Sequence, residues 1–249
     1  MKVRHRNVSI AAMLAAALLP ACDRLPGRPD EADRYVRPEQ VLDPVALYAA
    51  NCSGCHGEPG RVGPARDLGD ALYLAVIGPH ELRRVTAEGV AGTSMPAFAE
   101  SEGGWLTDEQ VDALVGGIYA RWGRTAAELP ETLPPYGESE ARKEGLVPGD
   151  PARGRVVFAA FCASCHGTDG RGGTGGAITG GAYLSLTSDQ ALRSAVIAGR
   201  PELHMPAWNG HEGRPAMAFQ EISDVTAWLS AQRPKFPGRP SAADDTAAK

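Results

Sequence analysis

A five-residue phrase occurs twice in the chain, as Cys52-Ser53-Gly54-Cys55-His56 and, 110 positions later, as Cys162-Ala163-Ser164-Cys165-His166. Two thiols separated by two residues, with a histidine directly after the second, suit covalent capture of a c-type haem. The thiols add to its vinyl groups and the histidine binds iron from one face. Iron takes a second axial ligand on the opposite face. A methionine stands 39 residues after each histidine, within the same triplet: Met95-Pro96-Ala97 and Met205-Pro206-Ala207. The expected axial pairs are therefore His56/Met95 and His166/Met205. Cys52, Cys55, Cys162 and Cys165 are the thioether donors, and two covalently attached haem c groups are expected.

Two other chemistries use CxxC pairs, and each makes a demand that this chain does not meet. A structural zinc site takes four ligands, but the chain has five cysteines and no second CxxC beside either motif. A redox dithiol belongs in a βαβ context, whereas the surroundings here are glycine-rich and helically patterned. Other distal ligands are less suited. His204 adjoins Met205 and could give a bis-histidine haem, but Ser94 stands at its counterpart in the first phrase. Met217 lies 51 residues beyond His166, before the closing helix, and reads as a core or surface residue. His80 and His211 have no counterparts and read as exposed. Arg61/Arg171 and Tyr73/Tyr183 are candidates for binding haem propionates, with simple exposure the competing reading for the arginines.

The elements that must position these residues repeat as well. Shifted by 110, residues 47–97 align with 157–207 without a gap, and seventeen of fifty-one pairs are identical, including Arg83/Arg193 and Gly89/Gly199. This is duplication of a whole unit. Asp43-Pro44 and Asp150-Pro151 each provide an N-cap followed by proline in the first turn, opening a helix that runs into the cysteine motif. Glycine- and proline-rich loops follow each histidine. Helical pattern resumes over 67–77 and 81–87 in the first unit, stopping at Gly89, and residues 90–94 are a loop that delivers Met95. In the second unit Thr187 with Gln190 caps a helix running to Gly199. Thr107 and Gln110 form a capping box ahead of a core-facing stripe of Val111, Leu114, Val115, Ile118 and Trp122. Ile222, Val225 and Leu229 mark the second closing helix, which aligns with the first only after a one-residue shift.

The expected organisation is a signal peptide over 1–21, a flexible tether over 22–39, a first domain over 40–125, a linker over 126–149, a second domain over 150–233 and a polar tail over 234–249. The signal has Lys2, Arg4 and Arg6 ahead of an apolar run too short to span a bilayer. It ends Leu18-Leu19-Pro20-Ala21-Cys22, which resembles a bacterial lipobox and marks Cys22 for lipidation and membrane anchoring. Cleavage before Cys22 removes three basic residues and no acidic ones, leaving 22 basic against 30 acidic and a formal charge of −8. Such a surface excludes nucleic acid as a partner and favours a basic docking patch on a redox protein.

A helix leading into CxxCH, a Gly/Pro loop, a Met-Pro ligand loop and a closing helix together resemble a class I cytochrome c domain. Two in tandem resemble the dihaem cytochromes c of bacterial respiratory chains, over residues 40–122 and 150–231. The resemblance implies an all-α fold of two such domains joined by a Pro-rich linker, and single-electron transfer on the periplasmic side of a membrane rather than catalysis. It implies partners in a respiratory complex: a quinol-oxidising complex, a terminal oxidase or a dehydrogenase. In such families the carbonyl of a loop proline receives the ligand histidine's other N–H; Pro64 matches that position and Thr174 replaces it in the second domain. The alternative is a dihaem peroxidase-like or thiosulfate-oxidising enzyme, or the cytochrome subunit of a dehydrogenase. The linker's prolines and the repeat predict a defined path and facing, pseudo-twofold domains.

Overall fold

The computed structural model describes residues 34–63, 65–210, 213 and 215–234. The expected signal peptide, Cys22, Pro64, His211 and the tail from 235 onward lie outside the described residues. Of the described residues, 34–40 belong to one unit, in which a 3-10 turn at Pro38–Gln40 carries an Arg37–Glu39 ion pair. The described residues from 41 onward form the other and hold both repeats.

The chain is mostly helical, with no strands among the described residues beyond two isolated bridges, Ala99–Leu106 and Arg200–Met205. Helix α1 (Pro44–Asn51) starts where Asp43 accepts from the Val45 N–H, and it runs through Cys52 into α2 (Ser53–His56). Helix α3 (Ala71–Glu88) is capped by Asp70 and bends at Gly78, where φ is 71° and the next residue is Pro79. The sequence pattern therefore starts this helix four residues early and reads one bent element as two. Helix α4 (Asp108–Trp122) begins with the expected capping box, Thr107 and Gln110 bonding each other's main-chain N–H groups. It buries Val111, Leu114, Val115 and Ile118 against α1 and α3. Each fully buried aliphatic side chain contributes about 1.5–3 kcal/mol of transfer free energy.

The second repeat follows the same order. Helices α6 (Pro151–Phe161) and α7 (Ala163–His166) lead through the second motif. The bent α3 is replaced by α8 (Gly181–Leu186) and α9 (Asp189–Ala198), broken where Gly78-Pro79 bend the first. The cap of α9 is Ser188, whose hydroxyl accepts from the Ala191 N–H, and not Thr187. The Thr187 hydroxyl instead donates back to the Tyr183 carbonyl and Gln190 reaches the Tyr136 carbonyl, so this Thr–Gln pair is not a capping box. Helix α10 (Phe219–Ala231) closes the repeat and packs chiefly on α6.

In both repeats the first and last helices cross so closely that one of them needs a glycine. A Cβ on Gly117 would lie 2.2 Å from Pro44 Cβ, and one on Gly154 would lie 2.0 Å from the Asp224 carbonyl oxygen. The glycine sits on the closing helix in one repeat and on the opening helix in the other. The pairing of α6 and α10 is fastened by Arg153, which donates twice to Asp224 (2.8 and 2.7 Å).

The segment between the repeats is an ordered strap. It carries a 3-10 turn (Ala126–Glu128) and α5 (Glu138–Lys143), buries Ala141, and packs Leu133 on the second core. The Tyr136 hydroxyl is hydrogen-bonded to that of Tyr73 in the first repeat, and its carbonyl accepts from Arg193 in the second. The equivalent helices α3 and α9 also meet directly: Leu72 and Val76 pack on the second core, and Ala198 belongs to the first. No helix among the described residues is long and apolar enough to cross a membrane.

Candidate functional site

Each motif histidine is oriented by a main-chain oxygen ten residues further on. His56 Nδ1–H donates to the Arg66 carbonyl at 2.6 Å, and His166 Nδ1–H donates to the Gly176 carbonyl at 2.9 Å. With Nδ1 so engaged, the Nε2 lone pair of a neutral ring is the one left for iron. Burial lowers the His56 imidazole below its usual value, outweighing the bond to the Arg66 carbonyl, and this favours the neutral form. The acceptor differs from the expected loop proline. It is Arg66 rather than Pro64, and Gly176 rather than Thr174, so both repeats make the same bond. Any residue can offer a carbonyl, and so the change from proline to threonine does not disturb the second site.

The loop after each motif is closed by matched hydrogen bonds. The Ala65 N–H reaches the Cys55 carbonyl (3.0 Å) and the Gly175 N–H reaches the Cys165 carbonyl (2.8 Å). The methionine loops are held the same way. The Val90 N–H donates to the Met95 carbonyl (3.1 Å) and the Arg200 N–H to the Met205 carbonyl (3.0 Å). Phe98 and Trp208 then tie each loop back to the preceding helix at 3.1 Å. Each loop springs from a glycine in the left-handed region, Gly89 at φ 72° and Gly199 at φ 70°. A Cβ there would stand 2.6 Å from the Ala97 nitrogen or 2.5 Å from the Met205 oxygen, so no other residue fits.

Cys52 lies in the first core and Met95 packs against that core, while Cys162 packs against the second. All four motif thiols are free of disulfides. Burial, reinforced by the neighbouring cysteine, pushes the Cys52 thiol up to about 11 and the Cys162 thiol up to about 12. No cluster of three or more His, Cys, Asp or Glu able to hold a metal ion occurs among the described residues. The donor set present is two thiols, an imidazole with a free Nε2 and a thioether, which is the set that fits covalent haem.

The other candidates fall apart from these sites. His80 and His204 are exposed, with His204 in the left-handed region at φ 58°, and Met217 is a core residue. Arg61 donates to the Gly69 carbonyl at 2.6 Å, and Tyr73 is buried under the strap while Tyr183 is exposed. The residue missed by sequence reasoning is Arg66. Its Nε is buried without a hydrogen-bond partner among the described residues, a donor that suits the carboxylate of a haem propionate. Its counterpart is Gly176, so a search for repeated residues passes over it.

Residues 39–116 and 149–229 match the family described as cytochrome C oxidase, cbb3-type, subunit III. A cytochrome bc1 complex cytochrome c subunit of Corynebacterium diphtheriae is 26% identical over 197 residues, covering 75% of this chain and 64% of its own length. That of Mycobacterium bovis is 25% identical over 196 residues, covering 74% and 60%. A thiosulfate dehydrogenase of Stutzerimonas stutzeri is 28% identical over 188 residues, covering 72% and 56%. The chain spans less than two thirds of the length of these relatives. With both repeats matched across motif, ligand loop and closing helix, the chain belongs to the cytochrome C oxidase, cbb3-type, subunit III family.

Proposed function

We propose that the protein is a dihaem c-type cytochrome carrying single electrons within a respiratory chain, with Cys52/Cys55 and Cys162/Cys165 as thioether donors and His56/Met95 and His166/Met205 as axial ligands. The observation that carries this reading is the bond-for-bond repetition of the scaffold: the same carbonyl under each histidine and the same N–H bond closing each methionine loop. Bound haem c supplies a reversible one-electron iron couple, and methionine ligation raises its potential. The chain's own part is to fix His56 and His166 through Nδ1, to hold each thioether loop through Gly89 and Gly199, and to keep both iron faces filled so that no substrate coordinates. The family match and the relatives named as bc1 complex subunits support a respiratory complex as the partner. Export and a lipid anchor at Cys22 rest on the N-terminal sequence, and Cys22→Ala is expected to release the protein from the membrane with its haems intact.

The thiosulfate dehydrogenase relative supports a second reading, an enzyme with one open or unusual distal site. One spectrum separates the two. A carrier shows two haems per chain, both six-coordinate and low-spin in either oxidation state. A five-coordinate or high-spin component in the purified protein rejects the carrier and favours the enzyme.

A further inference from the structure

Duplication copied the carbonyl that orients the ligand histidine but not the side chain attached to it. Arg66 and Gly176 play the same main-chain part, yet only Arg66 carries a guanidinium, and this group reaches into the second repeat. Its Nη1 donates to the Gly199 carbonyl at 2.8 Å, and its Nη2 donates to Asp70 Oδ2 at 3.0 Å. The guanidinium lies over the Tyr73 ring, 4.7 Å from its centroid. Gly199 is the hinge of the second methionine loop, and the next residue, Arg200, bonds the Met205 carbonyl. An unbroken path of covalent bonds and three hydrogen bonds therefore runs from the His56 imidazole through Arg66 to the main chain of Met205.

We propose that Arg66 is a positioning residue that joins the two haem sites, setting the orientation of His56 in the first and the seat of the Met205 loop in the second. The proposal rests on the reading of His56 and Met205 as axial ligands. Two features of the junction support it. The guanidinium is mostly buried, with its ion pair to Asp70 at 16% and 9% side-chain exposure, so its charge is weakly screened and is felt on both sides. The groups around it are paired with one another, although Arg66 Nε and Glu202 Oε2 stay without a hydrogen-bond partner among the described residues. Arg200 pairs with Glu202, Asp67 meets Glu202, and Asp70 caps α3. Lysine could not replace the arginine, because one ammonium cannot span the Gly199 carbonyl and Asp70 in a planar fork.

The test uses the holo protein in a Met95→Ala background, where the remaining methionine–iron charge-transfer band belongs to Met205. Adding Arg66→Gln is expected to weaken that band and to shift the reduction equilibrium of the second haem toward the oxidised form by roughly threefold to tenfold. Arg61→Gln, which loses bonds within the first repeat only, is expected to leave both unchanged. If Arg66→Gln fails to fold, Arg66→Lys is read the same way and should weaken the band while retaining more of the reduction equilibrium. A Met205 band and second-haem equilibrium that stay put in the Arg66 variant, or that move equally with Arg61→Gln, overturn the proposal. If Met95→Ala alone shows no band, the ligand reading has failed instead.

Discussion

The two repeats carry the same arginine at one position and put it to opposite uses. Arg83, on α3, lies at the surface and pairs with Asp108 and Asp112 of α4. Arg193, on α9, is 1% exposed and donates to the Pro135 and Tyr136 carbonyls, Glu138 and the Ser223 hydroxyl. The tyrosines behave in reverse: Tyr73 is covered and Tyr183 is 40% exposed. One feature accounts for both differences. The strap crosses the molecule once, shielding Tyr73 on one repeat and Arg193 on the other, so identical residues acquire different surroundings. Duplication thus preserves what the haem pocket needs, while the wrapping around it is free to diverge.

The comparison is broken most completely at the ligands. Met95→Ala and Met205→Ala are each expected to abolish one of two methionine–iron bands in the oxidised spectrum, and retention of both bands in either variant ends the assignment. Next in size is the arginine pair. Arg193→Ala strands several buried acceptors and is expected to cost about 3 kcal/mol in denaturant unfolding, whereas Arg83→Ala removes exposed pairs and should cost less than about 1 kcal/mol. Equal losses would mean that the strap does not matter energetically.

A third expectation sharpens the contrast between the closing helices. Burial alone would raise the Asp224 carboxyl, but Arg153, the Asp150 N–H and Gln220 outweigh it and hold the group below the usual range. A depressed folded value stabilises the protein above the unfolded value of about 4, and this contribution is lost as pH falls through the folded value. Acid should therefore loosen the α6–α10 pairing, and Asp224→Asn should flatten that part of the melting-temperature profile. The α1–α4 side is fastened by an uncharged bond from Gln110 to the Val41 carbonyl and should show no matching effect. A single hydrogen bond separates the repeats at Tyr48, whose hydroxyl donates to the Gly57 carbonyl at 2.8 Å, where the second repeat has Phe158. Tyr48→Phe converts the first solution to the second and should cost about 1 kcal/mol by thermal melting.

The helical architecture was legible because its signals are local. Asp43-Pro44, Asp150-Pro151 and the Thr107–Gln110 box announce helix starts by residue type, and the α4 stripe has a clear period. Thr187 misled for a physical reason: Ser188 offers the same hydroxyl one residue later, and the break between α8 and α9 places it at the cap. The acceptors for His56 and His166 were not legible, since a carbonyl has no residue type and only the course of the loop selects it. Arg66 and the strap were hidden for a related reason. Arg66 reaches the Gly199 carbonyl, and the strap offers Arg193 the Pro135 and Tyr136 carbonyls, all main-chain oxygens far away in sequence from the arginines they meet.

The strap also bears on where the chain can be cut. A fragment beginning at Asp150 would contain the whole second motif, ligand loop and closing helix, and by its sequence would pass for a self-sufficient small cytochrome. It would nevertheless uncover Arg193 and leave it only the Ser223 hydroxyl of the partners described above, because the Pro135 and Tyr136 carbonyls and Glu138 stay with the other piece. A usable excision must start upstream of Leu133 and take the strap along. Of the two units, then, the second inherits the connecting segment as part of its own body, and the first can be released from it only by giving up the cover over Tyr73.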